Sequence, residues 1–224
     1  MTMHDTPSAS ELAALLSSRV CHDVAGPVNA MGAAMGVLDD PNAGDMREDA
    51  MALLRSGVGQ LKAKVEYARV CFGAAGARAG EMGLAEIRTL ADAMFAEARA
   101  QLVFRSADGV IDKTAARVLL NLIWLAVDAL PRGGEVSVEA AASPGGGARL
   151  RVVSSGPRLR LDPSYVQAMR GERPEDGYDG RSVQPFYAGL IARESGGRAE
   201  ASASEERIEF TALTGPGQRA AAAE

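Results

Sequence analysis

Two apolar stripes, one following the other, constrain this chain more than any other feature. Cys21, Val24, Val28, Met31, Met35 and Leu38 alternate steps of three and four residues, and Leu54, Val58, Leu61, Val65, Ala68 and Phe72 step by four and three. Such spacing is a heptad seam, the mark of a helix that packs along another helix. The first helix is expected from about Ser10 to Asp39, with Ser8 or Ser10 as N-cap, and Asp39-Asp40-Pro41-Asn42 stops it. Two long helices joined by a short turn make an antiparallel hairpin. One hairpin cannot bury both sides of a continuous stripe, so a two-fold homodimer forming a four-helix bundle is expected.

The helical pattern ends in a Gly-Ala stretch at 73 to 80, which separates an expected hairpin unit, 8–76, from a second unit, 81–214. In the second unit, Leu84 to Ala98 reads as a helix, Leu102 to Phe104 as a short strand, and Lys113 to Leu130 as a long apolar helix that must be buried. Val136 to Ala140, Leu150 to Val153 and Ile208 to Ala212 alternate or are β-branched, with Gly-rich turns at Gly133-Gly134 and Gly145 to Gly147. Helices at about 163–170 and 184–195 complete an α/β sandwich of the α+β class. Arg170 to Ser182 reads as a loop and Gly215 to Glu224 as a frayed tail.

The 224 residues are 47% apolar, enough for a real core. With 24 Lys plus Arg against 29 Asp plus Glu and no basic run, nucleic acid is not expected as the main partner. The opening MTMHDTPSAS is neither basic nor apolar, and Asn121 and Asp128 interrupt the longest apolar segment, Val118 to Leu130. No signal peptide or membrane span is therefore expected. Cys21 and Cys71, both in helical patterns, read as reduced core thiols of a cytoplasmic protein.

Chemistry concentrates at His22 and Asp23. His22 falls one residue off the seam, which turns its imidazole to water from an otherwise packed helix. A lone helical histidine is ordinarily just solvated, but three neighbouring features argue otherwise. Asp23 is adjacent. Pro27 lacks the N–H that would bond the Asp23 carbonyl, a cost of about 3 kcal/mol in a helix interior, and Gly26 weakens the same turn. The near face is small or slender, with Ser18, Ala25, Gly26 and Asn29 and only Arg19 large, so another protein's backbone can approach.

His22-Asp23-Val24-Ala25-Gly26-Pro27 resembles the H-box of sensor histidine kinases: a phosphoacceptor histidine, an acidic residue, and a proline four positions beyond. Asn121 to Gly134 resembles the kinase N-box, but Leu125 stands where a second asparagine would hold magnesium. Ser154-Ser155-Gly156-Pro157-Arg158 is similar to the box that grips adenine, with Ser154 in place of its aspartate and Arg158 in place of its last glycine. Ser182-Val183-Gln184-Pro185 stands where a second glycine-rich box would meet the phosphates. A kinase scaffold that has lost its nucleotide contacts and kept its histidine resembles the alphaproteobacterial histidine phosphotransferases, over nearly the whole chain. The segments Asp39-Asp40-Pro41 and Asp45 to Met51 are similar as well.

The resemblance implies a dimeric relay that takes phosphate from the receiver domain of a hybrid sensor kinase and passes it to response regulators of the cell cycle. It implies no ATP binding and a Bergerat-like second unit. In that role His22 is the phosphoacceptor and Asp23 orients or deprotonates its ring. No metal ligand set or cofactor is expected in this chain; magnesium is expected from the partner receiver. Arg19, Ala25, Gly26, Asn29, Gly57, Gln60 and Lys64 are the expected docking residues, although surface charge alone explains Lys64 equally well. Two rivals are an active kinase with atypical ATP binding and a non-catalytic pseudokinase scaffold. A metal-dependent phosphohydrolase is set aside, because His4 is the sole other histidine.

Overall fold

The structure is a computed structural model, and it describes residues 6–73, 79–106 and 108–216. Helix α1, Ala9–Asp39, begins where the Ser8 side chain accepts the Glu11 N–H at 3.2 Å. It continues through Pro27 without a break. The Pro27 ring is buried in the hairpin, and packing there outweighs the one missing hydrogen bond. A short 3-10 turn, Gly44–Met46, leads into α2, Arg47–Cys71.

Alternate members of each stripe face opposite ways. On α1, Val24, Met31 and Leu38 are half-buried while Cys21, Val28 and Met35 are exposed; on α2, Leu54 and Leu61 are half-buried while Val58 and Val65 are exposed. Cys21 is thus not a core thiol of the single chain, whereas Cys71 is fully buried. Contact between the helices runs through small or rigid residues, with Pro27, Ala34, Ala50 and Gly57 buried.

After the hairpin come β1, Glu81–Gly83; α3, Leu84–Met94; β2, Ala100–Phe104; β3, Val110–Asp112; and α4, Lys113–Asp128. They are followed by β4, Gly134–Ala142; β5, Ala148–Ser155; α5, Pro163–Arg170; α6, Val183–Glu194; β6, Arg198–Ala203; and β7, Arg207–Leu213. β1 and β3 pair in a small antiparallel ribbon. The main sheet has the order β2-β4-β5-β7-β6, parallel between β2 and β4 and antiparallel elsewhere. A parallel pair requires a crossover, and α4 lies within the segment that supplies it.

The sheet alternates as a half-buried sheet should. Val136, Val138, Leu150, Val152, Ile208 and Phe210 point to the core, while Arg151 on the other face pairs with Glu139 and Glu209. Helix α4 is capped by Asp112, which accepts the Ala115 N–H, and nearly all its residues from Ala115 to Ala126 are buried. The hairpin is joined to this core. Tyr67, Val70 and Cys71 of α2 belong to it, and the Tyr67 hydroxyl donates to the Leu120 carbonyl at 2.7 Å. From α1, Leu16 packs on the same core, and Leu12 and Leu15 pack on a satellite of Ala168, Tyr178 and Phe186.

The α+β class and the hairpin-then-sheet order agree with the sequence reading. The helix expected to reach Ala98 ends at Met94, because Phe95 turns into an aromatic cluster with Tyr67 and Trp124 at centroid distances of 5.6 and 6.4 Å. The tail from 217 onward lies outside the described residues.

Candidate functional site

α1 carries Arg19, His22 and Asp23 on adjoining turns, at spacings that bring Arg19 and Asp23 together on one face. The His22 side chain is 84% exposed, so either ring nitrogen facing solvent can meet a partner. Its Nδ1 lies 3.6 Å from Asp23 Oδ1, just beyond hydrogen-bond length, and a small rotation closes the gap. Asp23 is far less exposed. Its Oδ2 sits 3.1 Å from Arg19 Nε, near enough for charge attraction although the N–H is not aligned as a hydrogen bond.

Arg19 reaches further. Its Nη2 donates to Asp128 Oδ2 at 2.7 Å, and its guanidinium lies over the Trp124 ring, 4.9 Å from the centroid. Asp128 and Trp124 are both on α4, so one α1 side chain ties the histidine's helix to the second unit. Burial pushes the Asp128 carboxyl up from its ordinary range, and Arg19 opposes that rise. Sequence reasoning missed Asp128 and Trp124. A lone acid in an otherwise apolar helix was the available signal, but its partner stands 109 residues away.

Beside Asp23 opens a cleft of about 490 Å³ between the hairpin and the second unit. Ser56, Gly59, Gln60 and Lys64 form its α2 wall; Ala93 to Ala98 and the α4 residues Trp124, Val127 and Asp128 form the rest.

The expected docking residues are therefore not all surface residues. Ala25, Gly26 and Asn29 are exposed beside His22, and Lys64 is half-buried at the cleft wall. Gln60 is committed to the protein: its amide donates to Glu97 Oε1 at 2.6 Å. Gly57 is buried, and a Cβ there would stand 2.5 Å from Met31 Cγ, so it serves the close approach of the two helices and not docking. Arg19, 11% exposed and held by Asp128 and Trp124, is likewise an internal residue.

Most of the residues compared above with the kinase boxes pack inside the protein. Leu125 is in the core, and the buried Ser154 hydroxyl donates to the Ala126 carbonyl at 2.8 Å. Asn121 donates to the carbonyl of Arg117 at 2.9 Å and is fully buried. Arg158 keeps the left-handed backbone a glycine would favour, with φ 58°. Ser182 donates its hydroxyl to Asp179 Oδ1, and Gln184 is wholly buried. Among the described residues, no group of three or more His, Cys, Asp or Glu is placed to hold a metal, and no helix is long and apolar enough to cross a membrane.

The family described as histidine phosphotransferase C-terminal domain matches residues 84–207. The protein phosphotransferase ChpT of Brucella abortus (strain 2308) is 33% identical over 212 residues, covering 95% of this chain and all of that protein. The 1.7 Å structure of a bacterial phosphotransferase superposes with a TM-score of 0.80 at 33% identity, covering 92% of this chain and 98% of that one. The chain belongs to the histidine phosphotransferase family.

Proposed function

We propose that His22 is the phosphoacceptor of a relay, taking a phosphoryl group from the receiver aspartate of a hybrid sensor kinase and delivering it to the receiver aspartates of response regulators. The observation that carries this reading is an imidazole 84% exposed on a packed helix, with a carboxylate 3.6 Å from Nδ1. A neutral imidazole has a ring-nitrogen lone pair to offer as nucleophile. Nε2 attacks phosphorus; the bond between phosphorus and the partner's carboxylate oxygen breaks as the N–P bond forms, and the carboxylate leaves. Asp23 holds the Nδ1 proton and offsets the positive charge that grows on the ring. The reverse sequence loads the next receiver.

Negative charge on the transferred group needs a counterion, and the receiver's magnesium supplies it. ATP has no part in the cycle. Leu125, Ser154, Arg158, Ser182 and Gln184 support that, since none offers the contact its kinase counterpart makes. Docking falls on the small face of Ala25, Gly26 and Asn29 and on the rim at Lys64, an interface suited to brief encounters.

The protein acts as a homodimer. Cys21, Val28 and Met35 on α1 and Met51, Val58 and Val65 on α2 are two rows spaced by sevens, and all six are exposed in the single chain. A second hairpin set against these rows completes a four-helix bundle. The test is transfer from a radiolabelled receiver domain. Wild type becomes labelled and His22→Ala does not; label on His22→Ala would refute the assignment.

A further inference from the structure

We propose that Arg19 is a positioning residue for phosphotransfer, and that α4 of the second unit sets it through Asp128 and Trp124. The inference deepens the assignment of His22 as phosphoacceptor and rests on it. His22 by itself does not fix the Asp23 carboxylate, because a side chain next in sequence to His22 points about 100° away around the helix. Asp23 can serve Nδ1 only if its rotamer is held from the other side. Arg19 is the group in place to do so: Nε faces Asp23 Oδ2 at 3.1 Å, which leaves Oδ1 turned toward the imidazole at 3.6 Å.

Arg19 would itself be free to swing if it were an ordinary surface residue. Instead, Nη2 is bonded to Asp128 at 2.7 Å, the guanidinium plane lies over Trp124, and the side chain is only 11% exposed. A planar fork can hold two carboxylates at once, which a lysine ammonium cannot do with the same geometry. The chain of contacts therefore runs from α4 through Arg19 to Asp23, whose Oδ1 lies beside His22 Nδ1. A second unit that has turned its nucleotide positions to packing thus acts on the chemistry, by fixing which ring nitrogen carries the proton and leaving Nε2 as the nucleophile.

The chain has two histidines, so ¹⁵N-histidine NMR of a His4→Gln background reports His22 alone. The Nδ1–H tautomer is expected to predominate with Arg19 intact and to give way toward Nε2–H in Arg19→Ala, while the initial rate of transfer from a labelled receiver falls about tenfold. Arg19→Lys should restore only part of either signal. Asp128→Asn, which keeps the side-chain shape, should slow transfer roughly threefold, and the Arg19→Ala/Asp128→Asn double variant should be no slower than Arg19→Ala. An unchanged tautomer in Arg19→Ala, or single effects that multiply in the double variant, overturns the proposal. If Arg19→Ala fails to fold, a transfer rate in Asp128→Asn equal to wild type overturns it as well. Failure of the underlying assignment looks different: His22→Ala would then still take label.

Discussion

The hairpin and the sheet unit solve the burial problem in opposite ways. Helix α4 buries nearly every side chain from Ala115 to Ala126, while α1, at 31 residues, buries only Pro27 and Ala34. The sheet unit closes its core with its own elements and the end of α2. The hairpin instead leaves Val28, Met35, Val58 and Val65 between 47% and 58% exposed, in heptad rows. A region that completes itself needs no further surface to close its core. One that is left open has surface to spare, and on the proposed function it is met by another hairpin on the apolar rows and by another protein at His22.

That contrast is broken most severely in the core. Leu122→Ala should cost about 2–5 kcal/mol in urea unfolding, whereas Met35→Ala should cost under about 0.5 kcal/mol in the isolated protomer and more as protein concentration rises. Equal, concentration-independent losses would erase the distinction. Val58→Glu places a charge on the outward row, and light scattering should then show a protomer where wild type shows a dimer, with the sheet unit still folded. A monomeric wild type would remove the reason for the rows.

Within the hairpin, two glycines two residues apart on α2, on nearly opposite faces, differ. Gly57→Ala forces a Cβ against Met31 and should destabilise by about 1–3 kcal/mol, while Gly59→Ala meets nothing within 4 Å and should stabilise by about 0.5–1 kcal/mol. The smallest effect is expected at Asp179. Burial would raise its carboxyl pKa, but hydrogen bonds from Ser182 and from the Arg181 N–H outweigh it and hold the value below the ordinary range. A lowered folded-state pKa stabilises above the unfolded value of about 3.9 and is lost as pH falls through the folded one. Asp179→Asn should therefore lower the melting temperature at neutral pH, with a difference that disappears in acid.

How much of this was legible depended on the length and strength of each pattern. Both long helices and α4 announce themselves through periodicity sustained over many turns. β1 and β3 are three residues each, too short to alternate visibly, and β6 buries Ala199 and Ala201, residues that carry no strand signal. Phe95 continued an apolar pattern that the chain abandons, because its ring is worth more against Tyr67 and Trp124 than on another helical turn. At the site, the nearness of the His22 and Asp23 side chains was readable because the two are adjacent in sequence. The Arg19 link was not, since local spacing holds no information about a residue on a helix folded back from the far side of the hairpin.

The claim on which the account depends is that this chain receives phosphate at an exposed imidazole from another protein and not from ATP. The most direct measurement incubates the purified wild-type protein with radiolabelled ATP alone and, separately, with a labelled receiver domain, and follows acid-labile label on a gel. The account predicts label only from the receiver; label from ATP alone, or none from the receiver, would contradict it.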